Sequence, residues 1–321
     1  MKLIIQIPCY NEEQTLPATL ASLPRQTEGV DRVEWLVIDD GSADRSAEVA
    51  REHGVDHVVS YRFHQGLARA FMIGLDASLR AGADIIVNTD ADNQYSAASI
   101  PDLIRPIVAG EAQIVVGARP IDQIEDFSLV KKLLQKVGSW VVRQASDTAI
   151  PDAPSGFRAI SRKAAMGLNV FDDYTYTLET IIQAGQKNIP ITSVPVQTNR
   201  KLRESRLARS EWSYLWRSAV TILRVFLLYR PLRAFALLSV PPTLAGVLLC
   251  FRWLWLFLFE DATRGRVPSL ILALMLLGVG AALFLLGLIA DLMGVNRKIL
   301  EDIQFRQRRR DYAEAREDAP T

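Results

Sequence analysis

Apolar positions along the chain follow two different patterns. In the first two thirds, short runs rich in Val and Ile, namely Leu3–Ile7, Glu34–Ile38, Ile85–Asn88 and Ile114–Gly117, are separated by stretches with helical spacing. Strands alternating with helices make βαβ units, and this predicts an α/β domain with a mainly parallel sheet and helices on both faces. Ile191–Val196 reads as a further strand, and Arg45–Glu52 and Tyr176–Gln186 read as helices. Farther on the alternation stops: Ala234–Phe251 is an uncharged run of 18 residues and Val267–Ala290 one of 24. At about 1.5 Å of rise per residue, about 20 apolar residues cross a hydrocarbon layer roughly 30 Å thick. The second run is long enough. The first is continued by Trp253–Phe259 past Arg252, close enough to the helix end to snorkel toward headgroups. Both are expected to span a membrane; the rival, a helical hairpin buried in a soluble core, rarely needs so long an uncharged run.

Between the two regimes, Trp212, Leu215, Trp216, Ala219, Val220, Leu223, Phe226 and Leu227 recur at three- and four-residue steps, with Ser213, Arg217, Thr221 and Arg224 opposite. That pattern is an amphipathic helix in the headgroup plane, with packing against the soluble domain as the alternative. The expected organisation is a cytosolic α/β domain (1–208), a juxtamembrane amphipathic helix (209–230), a two-helix transmembrane hairpin (231–293) and a cytosolic basic/acidic tail (294–321) that is solvated near anionic lipid.

Charge orients this arrangement. From Arg200 to Arg233 there are nine basic residues against Glu204 and Glu211, and Arg297, Lys298, Arg306, Arg308, Arg309 and Arg310 follow the second span. The intervening loop Glu260–Arg266 carries two charges of each sign. Lys/Arg excess marks the cytoplasmic side, so the catalytic domain and both termini are expected there. Met1–Pro8 leads directly into a strand, without the basic region and long apolar stretch of a signal peptide. With 37 Lys+Arg against 36 Asp+Glu, the chain is no polyanion binder built on bulk charge, and nucleic acid is not an expected partner. A hydrophobic content of 49% excludes a disordered chain. Cys9 and Cys250 fall in different compartments on this map, so no disulfide is expected.

Parallel sheets bind ligands beyond the carboxyl ends of their strands, and the polar clusters at those ends are acidic. They are Pro8-Cys9-Tyr10-Asn11-Glu12-Glu13, Asp39-Asp40-Gly41-Ser42-Ala43-Asp44 and Thr89-Asp90-Ala91-Asp92-Asn93-Gln94. Singly each has a structural reading: Asp44 caps a helix, Gly41-Ser42 makes a turn, and Asp-x-Asp arises by chance. Together, three carboxylate-bearing segments on one edge repel unless compensated, which favours a divalent metal with a phosphorylated ligand. Asp90, Asp92 and Gln94 offer only oxygen, which suits Mg²⁺ or Mn²⁺; His53, His57 and His64 lack the spacing of zinc ligands. A hard cation held by one or two carboxylates completes its shell with substrate phosphates, and the expected substrate is a nucleoside diphosphate compound.

These segments, with Gly117-Ala118-Arg119, Asp152-Ala153-Pro154-Ser155-Gly156-Phe157-Arg158 and Arg200 followed by Glu204-Ser205-Arg206-Leu207, stand in order over roughly residues 3–207. In this the chain resembles glycosyltransferase family 2, of the polyprenyl-phosphate glycosyltransferase type (dolichyl-phosphate mannose synthase-like). The resemblance implies a GT-A fold in which Pro8, Tyr10 and Glu12 with Asp39 hold the nucleotide's base and ribose, and Asp40, Asp90 and Ala91 complete the nucleotide-sugar site. It also implies that Asp90, Asp92 and Gln94 hold the metal on the diphosphate. The chain departs from the family in having Arg203 before Glu204-Ser205-Arg206, where Gly is frequent, and Tyr95-Ser96-Ala97-Ala98 where an Asp-Pro-Pro-Glu type of sequence is frequent.

A lipid phosphate is the acceptor that uses a membrane-bound site best. Its charge calls for guanidinium partners, and Arg119, Arg200 and Arg206, with Ser205, are the candidates. In the expected reaction the lipid phosphate attacks the anomeric carbon of a nucleotide sugar, a hexose or N-acetylhexosamine donor, and inverts it; Asp92, Asp152 and Arg119 are the candidate catalytic residues. An anionic acceptor needs no strong base. Asp152 therefore orients the acceptor, acts as a base, or fixes the loop around Pro151 and Pro154. Ser155–Arg158 is expected to shape the sugar or acceptor pocket, and Glu179 is a pocket residue or a surface charge. Two rival functions stand beside this one: transfer to a saccharide hydroxyl, against which the absence of a Gln-x-x-Arg-Trp signature speaks, and nucleotide-sugar sensing without turnover. A homo-oligomer is left open.

Overall fold

The computed structural model describes residues 1–120, 143, 146, 148–170, 176–199, 227, 231–259 and 267–317, without the side chains of 298 and 313–317. The candidate residues Arg200, Ser205 and Arg206, with Arg203, most of the amphipathic stretch 209–230 and the loop Glu260–Arg266, lie outside the described residues. The strands are β1 (Lys2–Cys9), β2 (Arg32–Asp39), β3 (His57–Ser60), β4 (Ile85–Asn88), β5 (Ile114–Ala118), β6 (Arg158–Ser161) and β7 (Ile191–Pro195). The helices are α1 (Leu16–Ser22), α2 (Ser46–Glu52), α3 (Leu67–Arg80), α4 (Ile100–Val108), α5 (Arg162–Gly167), α6 (Tyr176–Gln186), α7 (Pro231–Phe259) and α8 (Val267–Glu317). The described residues fall into two compact units, one within Met1–Ala219 and Glu301–Thr321, the other within Val220–Leu300.

In the first unit the strands form one sheet in the order β3-β2-β1-β4-β6-β5-β7. Successive side chains of a strand point to opposite faces, and here both faces are covered. Leu3, Ile5, Ile7, Val33, Val37, Ile85 and Val87 pack with α1, α2 and α4. Ile4, Leu36, Ile38, Ile86, Ile114 and Ile160 pack with α3, α5 and α6. Burial on both sides is why these strands read as unbroken apolar runs. β3 escaped that reading because its four residues are only half-buried at the sheet edge.

All pairings are parallel except those of β6, which runs antiparallel to both β4 and β5. The expected mainly parallel sheet is therefore present, with one reversed strand. Reversal has a consequence for the site. Arg158, the first residue of β6, pairs with Asn88, the last of β4, so the loop before β6 is delivered to the same edge as the carboxyl ends of β1, β2, β4 and β5. Nothing in the local pattern marks β6, because it opens on an arginine.

In the second unit, α7 and α8 are long and apolar enough to cross a membrane, with mean hydropathies of 2.0 and 2.7 over their most apolar windows. Small residues let them approach closely: a methyl on Gly246 would lie 2.9 Å from the Ala273 carbonyl, and one on Gly287 2.8 Å from Phe235 Cβ. The paired prolines Pro241-Pro242 sit inside α7. Just beyond them the Thr243 hydroxyl donates to the Ser239 carbonyl one turn back, at 2.7 Å.

The C-terminal segment corrects an expectation. Residues 294–321 were expected to form a solvated tail, but α8 is helical to Glu317 and its end belongs to the first unit, where Glu301 and Tyr312 are buried. Tyr312 joins the core formed with α3, α5 and α6. The segment's run of arginines hid this, since one of them is used in packing, as described below.

Candidate active site

Two polar clusters occupy the carboxyl edge of the sheet. The first follows β1 and β2, whose last residues Cys9 and Asp39 are register partners. Asn11 adopts a left-handed conformation (φ 54°). Its backbone N–H donates to Ser42 Oγ at 2.9 Å and its Oδ1 accepts from Ala43 N–H at 2.8 Å, which ties the two turns together. Asp39 is buried and accepts from Ser42 N–H at 3.0 Å. Glu12 is largely buried, its Oε2 taking the Thr15 hydroxyl at 2.6 Å. Pro8 lies in β1 beside Ile38. Tyr10 is exposed and stacks on His64, with ring centroids 3.9 Å apart.

Asp40 is buried and engaged on both oxygens. Its two oxygens accept from Gln65 N–H and Gly66 N–H, each at 2.8 Å, and its Oδ2 is 2.8 Å from His64 Nδ1. This holds the loop before α3, and Gly41 (φ +73°) lets it pass, since a Cβ there would stand 2.7 Å from the backbone of Phe63 and His64. Asp44 likewise serves the fold: it accepts from the Ser46 hydroxyl at 2.5 Å, Ser46 N–H at 3.0 Å and Glu13 N–H at 3.1 Å. Partial burial raises its carboxyl, but these bonds outweigh that and hold it below the usual carboxylate range.

The second cluster follows β4. Asn88 is buried; it accepts from Gln6 Nε2 at 2.8 Å and donates to the Gly156 carbonyl and the Tyr176 hydroxyl, each at 2.9 Å. Tyr176 stacks on Phe71 of α3, with centroids 4.0 Å apart. Asp90 stands against this floor: a methyl on Gly156 would meet its oxygens at 3.2 and 3.4 Å and the Tyr176 hydroxyl at 2.9 Å. Only glycine allows the loop so near. Asp92 accepts from Gln94 N–H at 3.1 Å, and the intervening Asn93 is left-handed (φ 56°). The carbonyl of Ala91 accepts from the Thr19 hydroxyl at 2.9 Å. Burial, then the Asp92 carboxylate, push Asp90 up to about 7, against the pull of Arg119.

Arg119, just past β5, grips Asp152 with two parallel bonds, Nε to Oδ2 at 2.7 Å and Nη2 to Oδ1 at 2.9 Å, and its backbone N–H adds a third at 3.1 Å. The carboxylate is 1% and the guanidinium side chain 14% exposed. Arg119 also lies over Tyr95, 6.0 Å from its centroid. The Tyr95 hydroxyl accepts from Gly156 N–H at 3.1 Å, and its ring stacks on Phe157. Arg158 is fully buried, donating to the carbonyls of Ser155 (2.9 Å) and Ala153 (2.8 Å) and to the Thr180 hydroxyl. Burial lowers its pKa to about 10. Glu179 is buried on α6 and is no surface charge.

The edge thus brings together Asp90, Asp92, Arg119 and Asp152, with Glu12 close enough to Asp90 to raise it electrostatically. Sequence reasoning overlooked Tyr95, Tyr176, Asn88 and His64. A signal existed for two of them: Asn88 is a polar end to an apolar strand, and Tyr95 follows the acidic turn directly.

As to a metal, no group of three or more His, Cys, Asp and Glu side chains converges among the described residues. The set present is instead two half-buried carboxylates on a short turn, with the Gln94 amide two residues on. It fits a hard divalent cation that takes its remaining ligands from a bound phosphate.

The family model for Glycosyl transferase family 2 matches residues 4–168. The chain is similar to the polyprenol monophosphomannose synthase of Mycolicibacterium smegmatis, 27% identical over 219 residues, which cover 64% of this chain and 81% of that protein. It is 26% identical over 328 residues to the undecaprenyl-phosphate 4-deoxy-4-formamido-L-arabinose transferase of Photorhabdus laumondii subsp. laumondii, covering 96% of this chain and 92% of the relative. Among solved structures, glucosyl-3-phosphoglycerate synthase from Mycobacterium tuberculosis, in complex with Mn²⁺, UDP and glucosyl-3-phosphoglycerate, superposes with a TM-score of 0.54 at 22% identity, over 70% of this chain and 78% of that one. That likeness concerns the fold.

Proposed function

The chain belongs to glycosyl transferase family 2, and from that premise we propose that it transfers a hexose or N-acetylhexosamine from a nucleoside-diphosphate sugar to a polyprenyl phosphate, undecaprenyl or dolichyl, inverting the anomeric carbon at the cytoplasmic membrane face. The observation that carries this reading is the Arg119–Asp152 pair beside Asp90 and Asp92. It offers a fixed cation whose carboxylate partner is wholly engaged in holding it, which suits an acceptor that is already an anion. The names of the two relatives support a polyprenyl phosphate as that acceptor, and the two apolar helices support its delivery from a membrane.

In this reading an acceptor phosphate oxygen forms a bond to the anomeric carbon as the bond from that carbon to the diphosphate breaks, and the nucleoside diphosphate leaves. Tyr10 and Asp39 hold the base and ribose with Pro8 and Glu12. Asp90, Asp92 and Gln94 would hold Mg²⁺ or Mn²⁺, which supplies charge neutralisation for the leaving diphosphate. Arg119, oriented by Asp152, pairs with phosphate oxygens of the acceptor in company with Arg200, Ser205 and Arg206. The basic flanks of the spans support a cytoplasmic catalytic domain. The membership of 301–317 in the catalytic unit supports two spans that return the chain to the same side.

The test is transfer of radiolabel by the purified full-length protein from a panel of nucleotide sugars to polyprenyl phosphate. Label that moves to an organic-soluble product, is released as sugar phosphate of inverted configuration, and depends on a divalent cation supports the reading. Water-soluble polymer would replace it with a saccharide acceptor, and binding without transfer would leave a sensor.

A further inference from the structure

The face that α8 turns to the catalytic unit repeats at helical steps: Glu301, Phe305, Arg308 and Tyr312 are four, three and four residues apart. Glu301 is 6% and Tyr312 4% exposed, whereas Asp302, Arg306, Arg309 and Arg310 on other faces are exposed. Each inward residue has a partner. Glu301 Oε2 accepts from Lys187 Nζ at 2.9 Å, just past the end of α6. Phe305 lies beside Gly167 at the end of α5. Arg308 Nη1 donates to the Leu168 carbonyl at 2.9 Å, satisfying an acceptor beyond that helix end. The Tyr312 hydroxyl donates to Asp76 Oδ1 on α3, the Arg80 guanidinium lies over its ring, and its carbonyl accepts from Arg162 Nη2 at 3.1 Å.

Two of these helices, α3 and α6, also build the floor of the site. Phe71 of α3 stacks on Tyr176 of α6, Tyr176 meets Asn88 and Gly156 behind Asp90, and Thr180 of α6 accepts from Arg158 at the head of the 152–157 loop. One segment, residues 301–312, thus ties α3, α5 and α6 together. We infer that this segment is a positioning clamp for the transfer reaction: through Tyr312–Asp76, Arg308–Leu168 and Glu301–Lys187 it sets the placement of Tyr176 and the 152–157 loop, and with them Asp152 and Arg119. The clamp acts through the floor and touches no substrate. The inference rests on the transferase reading only for its kinetic arm.

The experiment uses the full-length protein in detergent micelles, comparing wild type with Tyr312→Phe, Tyr312→Ala and Arg308→Ala. Amide hydrogen exchange over 162–187, kcat, KM for nucleotide sugar and Mn²⁺-dependent nucleotide affinity are measured together. The clamp requires Tyr312→Ala to raise exchange in Tyr176–Gln186 and to lower kcat by about tenfold, the scale of a small misplacement of reacting groups, with KM and nucleotide affinity unchanged. Tyr312→Phe, which keeps the ring over Arg80, falls between the two, so a folding failure of the alanine variant does not decide the matter. Unchanged kcat in all variants, or a fall in kcat accompanied by a raised KM and weakened nucleotide affinity, overturns the clamp. If the wild type transfers no sugar, the functional reading fails; the exchange arm then decides, and unaltered protection of Tyr176–Gln186 in Tyr312→Ala overturns the inference.

Discussion

Both carboxylate oxygens of Asp152 accept from the guanidinium of Arg119, at 2.7 and 2.9 Å. The residues lie 33 positions apart and meet because β6 runs against its neighbours, bringing the loop before it to the end of β5. Both oxygens of this carboxylate are thus occupied as acceptors of a bidentate charge-assisted pair. Of the three roles the sequence left open for Asp152, orienting the acceptor, acting as a base and fixing the loop, the geometry suits the last, and it adds one not foreseen, the orientation of Arg119.

This pair makes a first prediction. Asp152→Asn should lower kcat while leaving the acidic limb of the pH–rate profile in place, because no base is lost; disappearance of that limb would identify Asp152 as a base. Arg119→Lys should lower kcat by about 100-fold, as expected when a preorganised donor fork is lost. Arg119→Ala should also cost about 3–5 kcal/mol of stability by stranding a buried carboxylate, measurable by denaturant unfolding.

The acidic turn makes a second. Asp92→Ala should abolish transfer and the divalent-dependent part of nucleoside diphosphate binding, read by titration calorimetry with and without Mn²⁺. Chelation should silence the wild type, with activity returning on addition of Mg²⁺ or Mn²⁺. Full turnover by Asp92→Ala would remove the metal assignment.

Gly156 tests how tightly the floor is built. A methyl there would stand 2.9 Å from the Tyr176 hydroxyl and 3.2 Å from Asp90 Oδ1. Gly156→Ala should destabilise by about 1–3 kcal/mol and reduce kcat/KM further than its lower Tm accounts for. Adding Tyr176→Phe removes the closer clash and should recover part of the stability; no recovery would place the strain elsewhere.

Cys9 tests the first cluster through pH. Burial, reinforced by the Asp39, Glu12 and Asp44 carboxylates and opposed by a hydrogen bond with Ser46, pushes its thiol up to about 12. An unfolded cysteine titrates near about 8.5. The native state therefore keeps a proton that the unfolded state loses, so this contribution to stability is complete below about 8.5 and is lost as pH rises toward 12. Alkylation of the Cys9 peptide at pH ~8.5, followed by mass spectrometry, should be negligible in the folded protein and rapid in denaturant. Equal rates would show that the thiol is not shielded.

How much of this was legible in the chain depends on the range of the interaction responsible. Leu3–Ile7, Glu34–Ile38, Ile85–Asn88 and Ile114–Gly117 announced strands because a doubly covered sheet needs apolar residues at consecutive positions. Tyr176–Gln186 announced a helix, and those residues are helical. Parallel order then placed the turns after Cys9, Asp39 and Asn88 on one edge, so the acidic character of the site was readable residue by residue. Asp40 and Asp44 illustrate the limit of that reading: by type they matched their neighbours, yet their oxygens are engaged by nearby backbone N–H groups.

The sequence by itself determined which stretches are apolar at every position, where polar turns interrupt them, and which two helices are long enough to cross a bilayer, since these depend on local periodicity and composition. Tertiary structure alone decided the direction of β6, the meeting of Arg119 with Asp152, the burial of Arg158 among carbonyls, and the docking of Tyr312 on α3. Each joins groups whose cost of burial is offset only by a partner supplied from another element, and such compensation leaves no periodic trace in the chain.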